Sequence, residues 1–402
     1  MILLTQDRQG PLTGIRILDL TRVLSGPYTS MMLADLGAEV IKLEMPEIGD
    51  DSRHFGPFQK DESAYFMSVN RNKKSITLNL KSEKGKEIFK KLAAQVDVIL
   101  ENYRPGTMEK LGLDYDTICQ VNPGIIYASI SGFGQTGPYS RRAAYDGIVQ
   151  AMGGIMGITG EKGGKPVKIG SSIGDIIAGM FCSTGILAAY IHRQNTGKGQ
   201  YIDVAMLDSQ VAILENAIAR YTVTGKVPKP TGNTHTSIFP FETFPTASED
   251  IMIAAGNDVL WGKLCTALDC EELITDERFS TNPERGYHHD EMFALLCERL
   301  VGKKADEWVK ILDDAGVPCS LINTIDKVLE NPQIQARNMI VEVEHPKAGK
   351  NLIAGLPIKM SLTPGAVYKA APVLGEDNRS VYKEMAGIGE DKLEELKKKG
   401  VI

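Results

Sequence analysis

The stretch from Lys168 to Met180 sets a single carboxylate, Asp175, among glycines and serines. An apolar segment, Ile176 to Ile191, follows at once and reads as a buried helix. Asp175 then falls at or near that helix's first turn. Unpaired backbone N–H groups and the positive end of the helix dipole favour an anion there. Two uses fit the position. One is an N-cap aspartate. The other is a nucleophilic carboxylate, placed among small residues so that a bulky substrate can approach.

Other chemistries find little support. The six histidines form no H-E-x-x-H or H-x-x-x-H pattern, so no metal site is expected. The six cysteines form no C-x-x-C pair and no zinc-like spacing, as in a reduced cytosolic protein with buried thiols. A net charge of -6 without a basic block argues against nucleic acid as a partner. The start of the chain lacks the pattern of a secretory signal, and no apolar run is read as reaching the roughly 18 residues of a membrane span. Ile176 to Ile191 is too short by this reading, with Cys182 to Gly185 interrupting it. A cytoplasmic protein with no membrane partner is expected.

The elements that must position Asp175 read as an α/β domain. Ile15–Leu20, Ala38–Glu44, Ser75–Leu80, Val96–Asn102, Ile125–Ser131 and Gln200–Met206 read as strands, with helices over Pro27–Leu36, Ser82–Ala94 and Leu207–Thr222. Such alternation gives a parallel sheet with helices on both faces. The first strand–helix–strand unit looks like half of a Rossmann-type sheet, but its turn, Thr21 to Pro27, lacks G-x-G-x-x-G, so the dinucleotide fingerprint is absent. Ligands in these sheets sit beyond the strands' carboxyl ends. The candidate loops begin at Thr21, Met45, Glu101 and Ser131. Gly132, Gly134 and Gly137 alternate with larger residues, which fits a plain turn or a close backbone approach. A polar, proline-bearing segment from Thr224 to Thr236 changes the character of the chain. The domains read as residues 1–223, a smaller α+β domain over 224–328, and a return over 329–402.

The ordered motifs resemble those of the class III coenzyme A transferases, the group that includes formyl-CoA transferase and carnitine CoA-transferase. The marks include Leu12 to Asp19, Ser25-Gly26-Pro27, Leu36 to Glu44, Gly49 to Arg53, Asn72 to Ile76, Glu101 to Gly106, Ser131 to Gly134 and Gly174-Asp175. Gly197 to Gln200, Gly256 to Asp258, Ala336 to Met339 and Leu374 to Glu376 complete the set. The resemblance covers nearly the whole chain. It implies a Rossmann-like large domain, a smaller α+β domain, and two chains interlocked as a homodimer. It implies no prosthetic group, with CoA and acyl-CoA as substrates beside a carboxylic acid. It assigns Asp175 the role of nucleophile, passing through an aspartyl anhydride and an aspartyl-CoA thioester.

The resemblance also assigns CoA contacts to Arg22, Val23, Leu24, Ser25, Leu78, Lys81, Asn102, Tyr103, Arg104, Lys110, Tyr145 and Asp146. Two departures stand out. Met45 and Ala143 occupy places where formyl-CoA transferase has basic residues, and Arg141 or Arg142 is the substitute for the second. The run of four glycines in that enzyme's small domain is absent. Gly232 to Ile238 stands there instead, similar to members that take small dicarboxylates such as succinate, glutarate or oxalate. A polar acceptor pocket near Asn233, His235 and Thr236 is expected, a domain linker being the simpler use of that segment. α-Methylacyl-CoA racemases share the fold and keep the aspartate, but pair it with a histidine. This chain has Tyr145-Asp146 at that place, and tyrosine is a poor base near neutrality.

Overall fold

The structure is a computed structural model that describes residues 10–402. It divides into two compact units. The first comprises the chain up to Ile155, Ile169–Ile218 and Pro332–Ile402, and the second Met156–Lys168 and Ala219–Asn331. Residues 156–168 therefore cluster with the second unit, ahead of the change of character near Thr224.

The first unit is built on six strands: β1 (Arg16–Asp19), β2 (Glu39–Glu44), β3 (Lys73–Thr77), β4 (Val98–Glu101), β5 (Ile126–Ser131) and β6 (Tyr201–Ala205). They pair in parallel in the order β3-β2-β1-β4-β5-β6, the order of a doubly wound sheet. A sheet covered on both faces needs apolar residues at successive positions, which is why the central strands carry adjacent apolar residues. Ile17, Val40, Val98 and Ile126 enter one core, and their neighbours Leu18, Ile41, Ile99 and Tyr127 enter the other. Helices α1 (Ser25–Asp35) and α2 (Glu83–Ala93) lie on opposite faces. The C-terminal residues complete the sheet's edge. Asp377 and Asn378 accept from the backbone N–H groups of Ser75 and Thr77, and the Tyr382 hydroxyl donates to the Thr77 carbonyl. An edge strand with its N–H groups taken up cannot pair with another chain.

Three more helices surround the site: α3 (Asp146–Met152), α4 (Ile173–Thr196) and α5 (Met206–Ala212). Helix α4 corrects the sequence reading in two ways. It spans 24 residues rather than 16, and an 18-residue window has mean hydropathy 1.5, so by length and composition it could cross a bilayer. Cys182 to Gly185 do not interrupt it. Its stripe of Ala178, Cys182, Ile186 and Ala189 is buried in the core beside α1 and the sheet, which is how a core helix behaves. The second correction concerns Asp175. Ser172 occupies the N-cap and Asp175 is the third residue of the helix, so the aspartate is no N-cap. The expected helix Leu207–Thr222 is also broken, into α5 and a helix over Ala217–Thr224, where Glu215 takes the left-handed conformation (φ 52°).

Helices α1 and α4 touch closely at Gly179. A Cβ there would stand 2.8 Å from the Ser25 carbonyl oxygen and 3.3 Å from the Tyr28 ring. Glycine lets the helix bearing Asp175 seat against the helix that begins with Ser25.

In the second unit, strands β7 (Phe241–Phe244), β8 (Ile251–Ala254) and β9 (Cys319–Leu321) form an antiparallel sheet in the order β9-β8-β7. Helices over Asp258–Ala267, His289–Leu300 and Ala305–Asp314 close a core that includes Phe244, Ile253, Trp261, Phe279, Leu296 and Trp308.

Candidate active site

The loop Thr21–Ser25 leaves the carboxyl end of β1 and enters α1. Its backbone is held by side chains from distant parts of the chain. The Asn102 amide pairs with Arg22 on both sides, accepting from its N–H at 2.9 Å and donating to its carbonyl at 2.8 Å. The Val23 N–H donates to Asp50 Oδ1 at 3.0 Å, and Lys42 Nζ donates to the Thr21 carbonyl at 2.7 Å. Gly26 is required because a Cβ would stand 2.2 Å from the Thr21 methyl.

Asp175 meets this loop at Ser25. Ser25 begins α1 and Asp175 lies in the first turn of α4, so the carboxylate lies at two helix N-termini at once, which favours an anion. Burial and the charge of Asp146 work the other way. Burial, first, and Asp146, second, push the Asp175 carboxyl up to about 7, against hydrogen bonds from the Ser25 hydroxyl and backbone N–H. Asp146 is tied to the same helix start. Its carboxylate accepts from the Gly174 N–H at 2.8 Å and from the Gln150 amide at 2.7 Å, and Gln150 in turn accepts from the Ile169 N–H. The approach to Asp175 is thereby anchored at both ends by α3.

Asp175 shares a cavity of about 240 Å³ with Arg22, Val23, Leu24, Ser25, Asn102, Tyr103, Arg104 and Tyr145. These residues, scattered over 150 positions of sequence, converge beyond the ends of β1, β4 and β5. Arg142 also lines it and Arg141 does not; the Arg142 guanidinium lies over the Tyr139 ring. Of the two candidate substitutes for the basic residue missing at Ala143, the structure thus favours Arg142. Four expected contacts stand apart from the lining. Leu78 is a buried core side chain, Lys81 and Lys110 are exposed, and Asp146 acts from behind through Gly174. Of the glycines after β5, Gly132 lines the cavity and also makes room for the chain itself, since a Cβ on it would strike that of Ala144.

The site also has side chains that sequence reasoning gave no role of their own, among them Asp51, Ser131 and Tyr65. Asp51 and Ser131 line the cavity. Tyr65 faces carboxylates: burial, then the charges of Asp175, Asp50 and Asp146, push its phenol up to about 12. A perturbed carboxyl is not by itself diagnostic. Burial also pushes Glu101 up to about 7, but Glu101 lines a separate cavity with Tyr115, Tyr127 and Tyr201.

The expected acceptor residues lie in the second unit. His235 stacks on Phe241 with centroids 5.3 Å apart, and its Nδ1 accepts from the Ser237 N–H. His235 and Thr236 line a cavity of about 520 Å³ with Lys162, Tyr287 and His289. Asn233 is not among its lining residues and donates to Thr243. Among the described residues, no group of three or more His, Cys, Asp or Glu side chains is placed to hold a metal ion.

The chain can be compared with known proteins on this footing. The family model for CoA-transferase family III matches residues 12–378. Succinyl-CoA:glutarate CoA-transferase of Homo sapiens is 41% identical over 393 residues, covering 98% of this chain and 90% of that protein. Acetyl-CoA:oxalate CoA-transferase of Acetobacter aceti is 41% identical over 380 residues, covering 94% and 96%. The crystal structure of a CAIB/BAIF family protein from Brucella suis superposes with a TM-score of 0.84 at 40% identity, over 94% of this chain and 100% of that one. Matched by family model, by sequence and by fold over nearly its whole length, the chain belongs to CoA-transferase family III.

Proposed function

We propose that this enzyme moves CoA from an acyl-CoA to a small dicarboxylate, with Asp175 as the covalent nucleophile. The observation that supports it best is the place of Asp175: a half-buried carboxylate between two helix N-termini, lining one cavity with the Arg22–Ser25 loop, Asn102 and Arg104. In the first half-reaction an Asp175 oxygen attacks the thioester carbonyl and the C–S bond breaks. CoA leaves as thiolate and a mixed anhydride remains. The thiolate then attacks the aspartyl carbonyl, releasing the first acid as carboxylate and leaving CoA as a thioester on Asp175. The acceptor carboxylate repeats these steps in reverse and restores Asp175. No net proton is consumed. An anhydride is activated enough for thiolate attack where a free carboxylate is not. Arg22, Arg104 and Arg142 supply the positive charge for the CoA phosphates, with Lys81 and Lys110 available from the surface.

The dicarboxylate assignment rests on relatives that act on glutarate and oxalate, and His235 and Thr236 are the acceptor-side candidates on this chain. The test is a matrix of acyl-CoA donors against carboxylate acceptors, followed by product mass. Transfer from succinyl-CoA to glutarate or oxalate is the expected result. Exchange of the C2 proton of a 2-methylacyl-CoA in heavy water, without any acceptor acid, would replace it with a racemase reading.

The Rossmann-like large domain and the interlocked homodimer belong to the same proposal. Ile148 and Met152 on α3, Met180, Phe181 and Ile191 on α4, and Val211 on α5 are each at least 40% exposed in the single chain. Large apolar patches of this kind mark interfaces. Sedimentation at the mass of two chains is expected; a monomer at micromolar concentration would remove this part.

A further inference from the structure

Beneath the loop that meets Asp175 lies an ion pair removed from solvent. Lys42 Nζ and Asp50 Oδ2 are 2.8 Å apart, and both side chains are 0% exposed. Taking two charges out of water is costly, and a well-packed apolar pair often supports a core as well or better. An apolar pair could not do what these two side chains also do. Lys42 donates to the Thr21 carbonyl, and Asp50 accepts from the Val23 N–H through its other oxygen. That oxygen also accepts from the backbone N–H and hydroxyl of Ser52, and the Asp50 N–H donates to Glu44. Asp50 is thus itself immobilised.

Val23 explains what the pair is for. Its φ is 68°, a left-handed conformation that is a true outlier for a β-branched residue. Such strain persists only where the surroundings over-determine it, and it gathers at functional sites. Here the peptide groups before and after Arg22 are gripped by Lys42, Asn102 and Asp50 in turn. If Val23 relaxed to a negative φ, the next two residues, Leu24 and Ser25, would swing out of place. Both line the cavity, and Ser25 is the hydrogen-bond donor to Asp175.

We infer that Lys42 and Asp50 are positioning residues for the reaction: the buried pair pins the Thr21–Ser25 loop in its strained form and so sets Ser25 against Asp175. The inference rests on Asp175 being the nucleophile.

The test is a mutant cycle with succinyl-CoA as donor and glutarate as acceptor. K42M/D50N removes both charges together, so neither is left buried alone. It is expected to fold, with kcat/KM for succinyl-CoA lowered about 100-fold, the scale of a misplacement of about 1 Å. Val23→Gly is then added. Glycine adopts a positive φ freely, so it should raise kcat/KM several-fold in K42M/D50N, whereas in the pinned loop, where the Val23 side chain lines the cavity, it should lower it. A residue that served only stability would give no such reversal. If the double variant does not fold, the same cycle on Asp50→Asn, which keeps a weaker neutral acceptor for Val23, should show a smaller loss and the same reversal. Parity of kcat/KM within about twofold in a folded variant, or a loss on adding Val23→Gly in both backgrounds, overturns the inference; a twofold change is under about 0.5 kcal/mol. Acyl-CoA-dependent labelling of Asp175, trapped with hydroxylamine, separates the two layers. No label on the unaltered enzyme defeats the nucleophile reading. Equal labelling rates in the unaltered enzyme and K42M/D50N defeat only the pinning.

Discussion

Replacing Asp175 with alanine is expected to abolish CoA transfer, lowering kcat by about 10⁴-fold or more, on the scale of other nucleophile deletions. The neighbouring carboxylates are otherwise engaged. Asp146 is committed to the Gly174 N–H and the Gln150 amide, Asp51 in the same cavity is paired with Arg22, and Glu101 lies in a different cavity. The fold should survive the change, because Asp175 does not cap its own helix: Ser172 holds the N-cap of α4, and the Gly174 N–H is satisfied by Asp146. Asp175→Glu keeps the carboxylate but moves it by one methylene against Ser25. It should retain partial activity, lower by about 100-fold. The checks are steady-state transfer and the mass of protein quenched during turnover, where the unaltered chain should carry CoA or acyl adducts and the alanine variant none. Full activity in the alanine variant would end the covalent reading.

The reach of the sequence can be judged on the same residues. Strands buried on both faces announce themselves as unbroken apolar runs, which is why β1, β2, β4 and β5 are legible without coordinates. Asp175 is legible too, because a lone acid at the head of a long apolar helix is a local pattern. The start of α4 is not: it begins three residues earlier than the apolar run, and the group that satisfies the Gly174 N–H comes from Asp146, 28 residues upstream. The loop after β1 divides in the same way. Arg22 to Ser25 are contiguous and stand out, but the side chains that grip them come from positions 42, 50 and 102, and nothing local to Lys42 or Asp50 signals burial. Tyr65 belongs to none of the motifs, and only folding brings its phenol within electrostatic reach of Asp175. The left-handed Val23 has no sequence signature at all, since valine is among the last residues expected there.

The second large effect concerns pH. In the proposed mechanism the attacking species is the Asp175 carboxylate, and burial together with the Asp146 charge holds that carboxyl up to about 7. The free enzyme should therefore lose kcat/KM about tenfold per unit below pH 7, or about 100-fold by pH 5. Asp146→Asn keeps an acceptor for the Gly174 N–H and removes the opposing charge, so it should move this acidic limb to lower pH. The same proton affinity has a consequence for stability. A carboxyl raised from its ordinary value of 3.8 to about 7 binds its proton more tightly in the folded than in the unfolded chain. Its favourable contribution is complete below about pH 4 and is lost as pH rises through about 7. Roughly three units correspond to at most about 4 kcal/mol. Asp175→Asn, neutral at every pH, escapes that loss. It should be inactive yet more resistant to urea than the unaltered chain at pH 8, with the difference shrinking toward pH 5 and vanishing near pH 4. An acidic limb centred near 4, with no gain in stability for Asp175→Asn at pH 8, would show that Asp175 ionises as an ordinary surface carboxylate does. A raised limb with the gain would show the opposite: the folded chain holds Asp175 charged, at working pH, against its own stability, and in the proposed mechanism attack on a thioester carbonyl relieves that instability.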